Sequence, residues 1–260
     1  MSNSIRSLKE FYRACLERNI PFVAWQKPHD HSITTWVSLK PPLQDGSLRL
    51  RPNTFVFAPF PGQQLPYFTF QPDVVFHDYE INDFIAGVIS QYRFPDKQTP
   101  LHTIEQNHTY EHNLQNLIAD IQQGFAEKIV LSRTETNGKT PVDVAATFIN
   151  LTEKYENAFT YLLNTGTGQR WMGATPELLL DVENGQARTV SLAGTALAPK
   201  GAGQPIRWHK KEREEQEIVS RYVRKVFQDH HITNYKEQGP YTDKAGHLNH
   251  IRTDFTFPLG

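Results

Sequence analysis

Between residues 159 and 192 the apolar runs keep reversing direction across turns too short to hold a helix. Phe159-Thr160-Tyr161-Leu162-Leu163 and Arg170-Trp171-Met172-Gly173 flank Asn164-Thr165-Gly166-Thr167-Gly168, and Asn184-Gly185 precedes Arg188-Thr189-Val190-Ser191-Leu192. Asn and Gly enter the left-handed backbone region at little cost, so both steps predict hairpins. Strand pairs joined this way, interleaved with only a few helices, predict an α+β fold rather than repeated βαβ units.

Residues 1–100 are rich in aromatics and proline and form one predicted part of the chain; residues 101–260, more regular, form the other. In the first, Ser7-Leu8-Lys9-Glu10 reads as a capping box, and Leu8, Phe11, Tyr12, Cys15 and Leu16 follow at helical spacing. Phe22-Val23-Ala24-Trp25, Ile33-Thr34-Thr35-Trp36-Val37 and Phe55-Val56-Phe57 read as strands, with turns at Pro41-Pro42 and Pro61-Gly62. Asp96-Lys97-Gln98-Thr99-Pro100 is the predicted linker. In the second part, Leu114, Leu117, Ile118 and Ile121 define a helix face closed by Gly124. A helix with Pro141 near its start carries Val144, Phe148, Leu151 and Tyr155. A last helix runs from Trp208 to Phe227, with Val219, Tyr222, Val223 and Val226 as its expected inner stripe.

Charge and cysteine content narrow the function classes. Basic and acidic side chains number 27 and 28, a net charge of -1, which argues against nucleic acid or an anionic membrane as partner. Cys15 is the single cysteine, so no internal disulfide forms and a reducing, cytoplasmic setting is expected. No apolar run approaches the roughly 20 residues that span a bilayer, and Ser4 to Phe11 is too polar for a signal-peptide core. A monomer is expected.

Several charged residues stand against continuous apolar runs, where soluble proteins rarely put them without chemical reason. Lys128 opens Lys128-Ile129-Val130-Leu131-Ser132-Arg133, predicted to be a strand. Desolvation there would make it a usable base; the other reading is an edge lysine whose stem packs while its ammonium reaches water. Glu177 follows Gly173-Ala174-Thr175-Pro176 and precedes Leu178-Leu179-Leu180. An apolar setting would suit it to general-acid work, although a turn glutamate that merely caps the next segment reads as well. Glu212 and Glu215 lie three apart on the continuation of the inner stripe, with Arg213, Glu214 and Arg224 turned to solvent. They suggest a hard cation such as Mg²⁺, or else simply acids favoured by a helix start. Gly194 and Thr195 stand at the expected end of a strand, where glycine permits close approach and threonine adds a hydroxyl. His250 sits on an apolar strand, where a lone histidine is more often a satisfied core residue.

Taken in order, Lys128 to Arg133, Thr175-Pro176-Glu177, Leu192-Ala193-Gly194-Thr195, Lys211-Glu212-Arg213-Glu214-Glu215-Gln216 and Asn249-His250-Ile251-Arg252-Thr253 resemble the motifs of the chorismate-utilising enzymes. Within that family, lysine at 128 resembles the water-using isochorismate synthases, whereas ammonia-using members typically carry glutamine there. The resemblance implies a layered α-β-β-α sandwich with large, mainly antiparallel sheets, and conversion of chorismate to isochorismate. It implies Lys128 as the base that activates water, Glu177 as general acid, and Glu215 as direct Mg²⁺ ligand with Glu212 behind it. It further implies that Gly194, Thr195 and His250 line the substrate pocket. Thr175 stands in place of the family's serine and Gln216 in place of its histidine. The resemblance runs from about Tyr110 to Leu259 and includes no counterpart of the family's later segments. The implied expectation is a C-terminally truncated chain that is inactive by itself. Salicylate synthase and a non-catalytic binding remnant are the alternatives, and a menaquinone or siderophore pathway is left open.

Overall fold

A computed structural model describes residues 5, 7–40, 43–45, 52–58, 67–78, 81, 83–95, 110–135, 142–197, 206–245 and 248–259. In chain order, the first elements are α1 (Leu8–Glu17), β1 (Phe22–Gln26), β2 (Ile33–Val37), β3 (Leu43–Asp45), β4 (Phe55–Phe57), β5 (Tyr67–Phe70), β6 (Val74–His77) and α2 (Asp83–Gln91). Then come α3 (Tyr110–Gln122), α4 (Val144–Lys154), β7 (Phe159–Asn164), β8 (Arg170–Thr175), β9 (Asp181–Glu183) and β10 (Gln186–Leu197). The last are α5 (Lys210–Asp229), β11 (Lys236–Ala245) and β12 (Leu248–Pro258). Every strand pair described is antiparallel, as hairpin connections require, and the fold is α+β.

The chain forms two compact units. The first comprises Met1–Thr103 and Lys139–Pro176. Its main sheet has the order β6-β2-β1-β7-β8, and β3-β5-β4 make a smaller one. Helix α1 begins where Ser7 Oγ accepts the Glu10 N–H at 3.2 Å, and its buried face is the one predicted: Leu8, Phe11, Tyr12, Cys15 and Leu16. Those rings set the core. Phe11 meets Phe76 edge-on at 4.9 Å, and Tyr12 stacks on Phe22 at 5.5 Å. Helix α4 starts one turn later than a proline start would have it: Asp143 accepts the Ala146 N–H at 3.1 Å and acts as N-cap. Composition divides the chain near residue 100, but strand pairing divides it differently. Strand β7 lies beside β1 with Phe22 opposite Asn164, and this ladder brings residues 139–176 back to the first unit.

The second unit, Ile104–Gly138 and Glu177–Gly260, is built on the sheet β11-β12-β10-β9 with α5 packed against β10 and β12. Ala187, Phe227, Phe255 and Phe257 form its core, and Val223, Ile232 and Tyr235 lean on it. Asn184 and Gly185 have φ of 50° and 73°, the left-handed pair that a two-residue hairpin needs, so β9 and β10 pair in register.

Two expectations are corrected. Lys128 to Arg133 is not a strand: it pairs with none of the described sheets, and Val130 is 82% exposed. An apolar run signals a wish to be covered, whereas a strand also needs a neighbour for its backbone groups. Helix α3 forms with the expected face, capped by Gly124 at φ 81°, and on that face Leu114, Ile118 and Ile121 are exposed. Strand β10 does not end at Thr195 but continues to Leu197 through a bulge. Pro41-Pro42, Pro61-Gly62, Asp96 to Pro100 and Pro141 lie outside the described residues.

Candidate active site

The candidate site is assembled where α5 begins against the bulge in β10. Opposite β12, Ala193 pairs with Ile251 and Thr195 with His250, so Gly194 is the extra residue. Its φ is +70°, and a Cβ there would lie 3.1 Å from both the Cβ and the carbonyl oxygen of Glu212. The glycine therefore lets the first turn of α5 sit on the strand, and its close neighbour in the structure is Glu212. Directly beyond the bulge, Thr195 Oγ1 and His250 Nδ1 are 3.2 Å apart. One distortion thus gathers Gly194, Thr195, His250 and Glu212. Glu212 also has a local duty, because the His209 N–H donates to its Oε2 at 3.1 Å and closes the helix start.

The inner face of α5 differs from the expected stripe. Gln216, Ser220 and Phe227 are its buried residues, and Tyr222 is 67% exposed. Stepping back four from Gln216 gives Glu212, so Glu212 continues the packed row and Glu215 stands on its half-exposed flank. Gln216 was legible only as a departure from the family motif; its role is structural and specific. Its Nε2 lies 3.0 Å from Ser191 Oγ on β10, 2.9 Å from Ser220 Oγ and 2.8 Å from Thr253 Oγ1 on β12. Ser191 and Ser220 are themselves 2.7 Å apart, which closes the network. A hydroxyl-lined slot of this kind holds the helix at one height on the sheet, because a shift would strand buried polar groups.

Lys128 and Glu215 come together across 87 residues of sequence: Lys128 Nζ is 2.8 Å from Glu215 Oε1, with the two side chains 27% and 39% exposed. The neighbouring Glu127 is held by Arg221 at 2.8 Å, so adjacent residues are clipped to α5 by ion pairs of opposite sense. Glu177 follows the end of β8 and is exposed; Leu179 and Leu180, expected to give it an apolar setting, are 90% and 55% exposed. The carbonyl of Leu179 accepts a hydrogen bond from Thr189 Oγ1 at 2.6 Å. A cavity of about 420 Å³ beside α5 is lined by Trp208, Arg213, Gln216, Tyr241, Thr242 and Ile251 among others, and none of the predicted site residues belongs to it.

A profile of the chorismate-binding enzymes matches residues 81–257, well over half of the chain. The chain belongs to the chorismate-binding enzyme family. Over 115 residues it is 32% identical to a provisionally named isochorismate synthase of Aeromonas hydrophila, a match covering 42% of this chain and 29% of that protein. MenF, the menaquinone-specific isochorismate synthase of Escherichia coli, superposes with a TM-score of 0.60 at 14% identity, over 92% of this chain and 65% of MenF. DhbC of Bacillus anthracis, provisionally named a 2,3-dihydroxybenzoate-specific isochorismate synthase, gives 0.65 at 15% identity, over 95% of this chain and 70% of DhbC. At those identities the two solved structures speak for the fold alone. The chain spans less than two thirds of the Aeromonas and Escherichia proteins' own lengths.

Of the residues gathered here, the carboxylates of Glu215 and Glu212 are the ones that could hold a hard cation such as Mg²⁺. Hard oxygen donors suit the ion, and one or two carboxylates completed by water and substrate oxygens is its usual mode. Among the described residues no three His, Cys, Asp or Glu side chains gather as a ligand cluster. No helix among them is long and apolar enough to cross a membrane.

The anchoring of α5 carries a pH signature. Arg224, expected to face solvent, instead donates to both oxygens of Glu237 on β11, at 2.6 and 3.0 Å, and to Glu217 at 2.9 Å. The hydrogen bonds from Arg224 hold the Glu237 carboxyl below its ordinary 4.5. A depressed carboxyl contributes stability above its unfolded-state value and loses it as pH falls through the folded one. The contribution of Glu237 to the urea-unfolding free energy is therefore expected to be constant near neutrality and to decline below about pH 4.5. Glu237→Gln should lower the neutral-pH value and shrink that decline, and an identical pH profile in the variant would contradict the assignment.

Proposed function

We propose that this chain carries the base, acid and metal-binding helix of a Mg²⁺-dependent isochorismate synthase. The observation that carries the reading is the meeting of Lys128 with Glu215 at 2.8 Å, on the same helix start as Glu212, which packs on Gly194. Family membership and the antiparallel α+β fold supply the context. Lys128 takes a proton from a water whose oxygen bonds to ring carbon 2 of chorismate. The ring double bonds shift, the bond from carbon 4 to its hydroxyl breaks, and Glu177 protonates the departing hydroxide. One water enters and one leaves, so the net reaction is an isomerisation. Mg²⁺ held by Glu215, with Glu212 behind it, would supply charge for the substrate carboxylate. Thr195 and His250, paired across β10 and β12, offer a hydroxyl and an imidazole to the substrate's polar groups.

A second reading, chorismate binding without turnover, draws on the exposure of Leu179 and Val130, which leaves Glu177 and Lys128 beside water rather than in a closed pocket. Product analysis separates the two. The gene product that carries this sequence is incubated with chorismate and Mg²⁺, with and without ammonium. Isochorismate as the main product in both conditions is the expected result. Anthranilate would sink the proposal, salicylate would move it to the salicylate synthases, and bound but unchanged chorismate would select the second reading.

A further inference from the structure

Resting on the reading of Glu215 as a Mg²⁺ ligand, we infer that Lys128 is the site's own stand-in cation, occupying Glu215 until a divalent ion displaces it. A lysine that is to act as base needs its nitrogen free, yet here Nζ is spent on a carboxylate oxygen at 2.8 Å. A metal ion on Glu215 would neutralise the charge that holds the ammonium and would repel it at close range. Occupation of Glu215 by metal and retention of Lys128 therefore compete. The segment is built to permit it. Lys128 to Arg133 takes no ladder partner among the described sheets, so the side chain is not fixed by a rigid strand. The adjacent Glu127–Arg221 pair uses a different helix position and would keep the backbone beside α5 while Lys128 swings away. Glu215, in turn, cannot follow, because Gln216 pins its turn of α5 to Ser191 and Thr253. One partner is fixed and the other is free to leave.

This gives an order to events at the site. Without metal, the ion pair satisfies both charges and the base is masked; with metal, Lys128 is released. The inference predicts that Lys128 opposes metal binding, although it serves the same reaction.

The test uses the 260-residue chain and Mn²⁺ as a paramagnetic probe, with free ion followed by electron paramagnetic resonance. Lys128→Met, which keeps the stem and removes the charge, is expected to bind Mn²⁺ about tenfold more tightly than the parent chain. Glu215→Gln should abolish that binding in either background, and Mg²⁺ should compete. A readout on the lysine itself completes the test: acetylation of Lys128, followed by peptide mass spectrometry, should accelerate when Mg²⁺ is added, whereas labelling of Lys225 should not change. If Mn²⁺ binds through Glu215 but Lys128→Met binds no more tightly, the stand-in role is refuted and the metal assignment survives. If Glu215→Gln leaves Mn²⁺ binding unaltered or no ion binds, the metal assignment fails and the inference fails with it.

Discussion

Lys128→Gln is expected to lower chorismate turnover by about 10²–10⁴-fold, the usual worth of a positioned proton carrier. Glutamine keeps most of the length and can still hydrogen-bond to Glu215, but it cannot accept a proton from water. The fold should barely register the change, because a partly exposed ion pair contributes only about 0–1 kcal/mol. Glu177→Gln should give a loss of the same order, with no effect on the Lys128–Glu215 contact. Both variants are measured as the gene product that carries this sequence, with the midpoint of thermal unfolding recorded beside each rate. Near-parent turnover in either variant removes that residue from its proposed role. A collapse in the midpoint instead would mean that the side chain is structural.

Phe227→Ala has the largest expected effect on stability. Phe227 is 3% exposed and is the ring on which the second unit's core converges, with Tyr235 at 4.9 Å, Phe257 at 4.9 Å and Phe255 at 5.8 Å. Truncating a buried phenylalanine typically costs about 3–5 kcal/mol, through lost transfer energy and the cavity left behind. Because Phe227 fastens the C-terminal half of α5, the loss should spread to the carboxylates on its first turns. Hydrogen exchange is expected to rise along α5 and at its contacts on β10 and β12. Unchanged protection there would show that the Gln216 network alone holds the helix.

Much of this architecture was legible in the sequence for reasons of local physics. Asn184-Gly185 specifies a two-residue hairpin because both residues must take positive φ, and they do. The α1 stripe was legible because five apolar residues at helical spacing admit one buried face. What escaped was set by partners distant in sequence. Nothing local told that β7 would pair with β1, or that Gln216 and Ser220 would be buried against Ser191 and Thr253. Polar residues count as exposed until their partners are known. The Lys128 run failed in the opposite sense: its apolar character was real, but pairing depends on a neighbour that periodicity does not reveal. At the site, Lys128, Glu215, Glu212, Gly194, Thr195 and His250 were named from motif order. The gathering of Gly194, Thr195, His250 and Glu212 around a bulge, and the direct contact of Lys128 with Glu215, required coordinates.

The most direct test of the central claim, that Lys128 sends water to ring carbon 2, is an isotope experiment. Chorismate and Mg²⁺ are incubated in ¹⁸O-enriched water with the gene product that carries this sequence, and the product is analysed by mass spectrometry. The account predicts isochorismate carrying one solvent-derived ¹⁸O, located in its 2-hydroxyl. Isochorismate without label, which an internal transfer of the 4-hydroxyl would give, contradicts it.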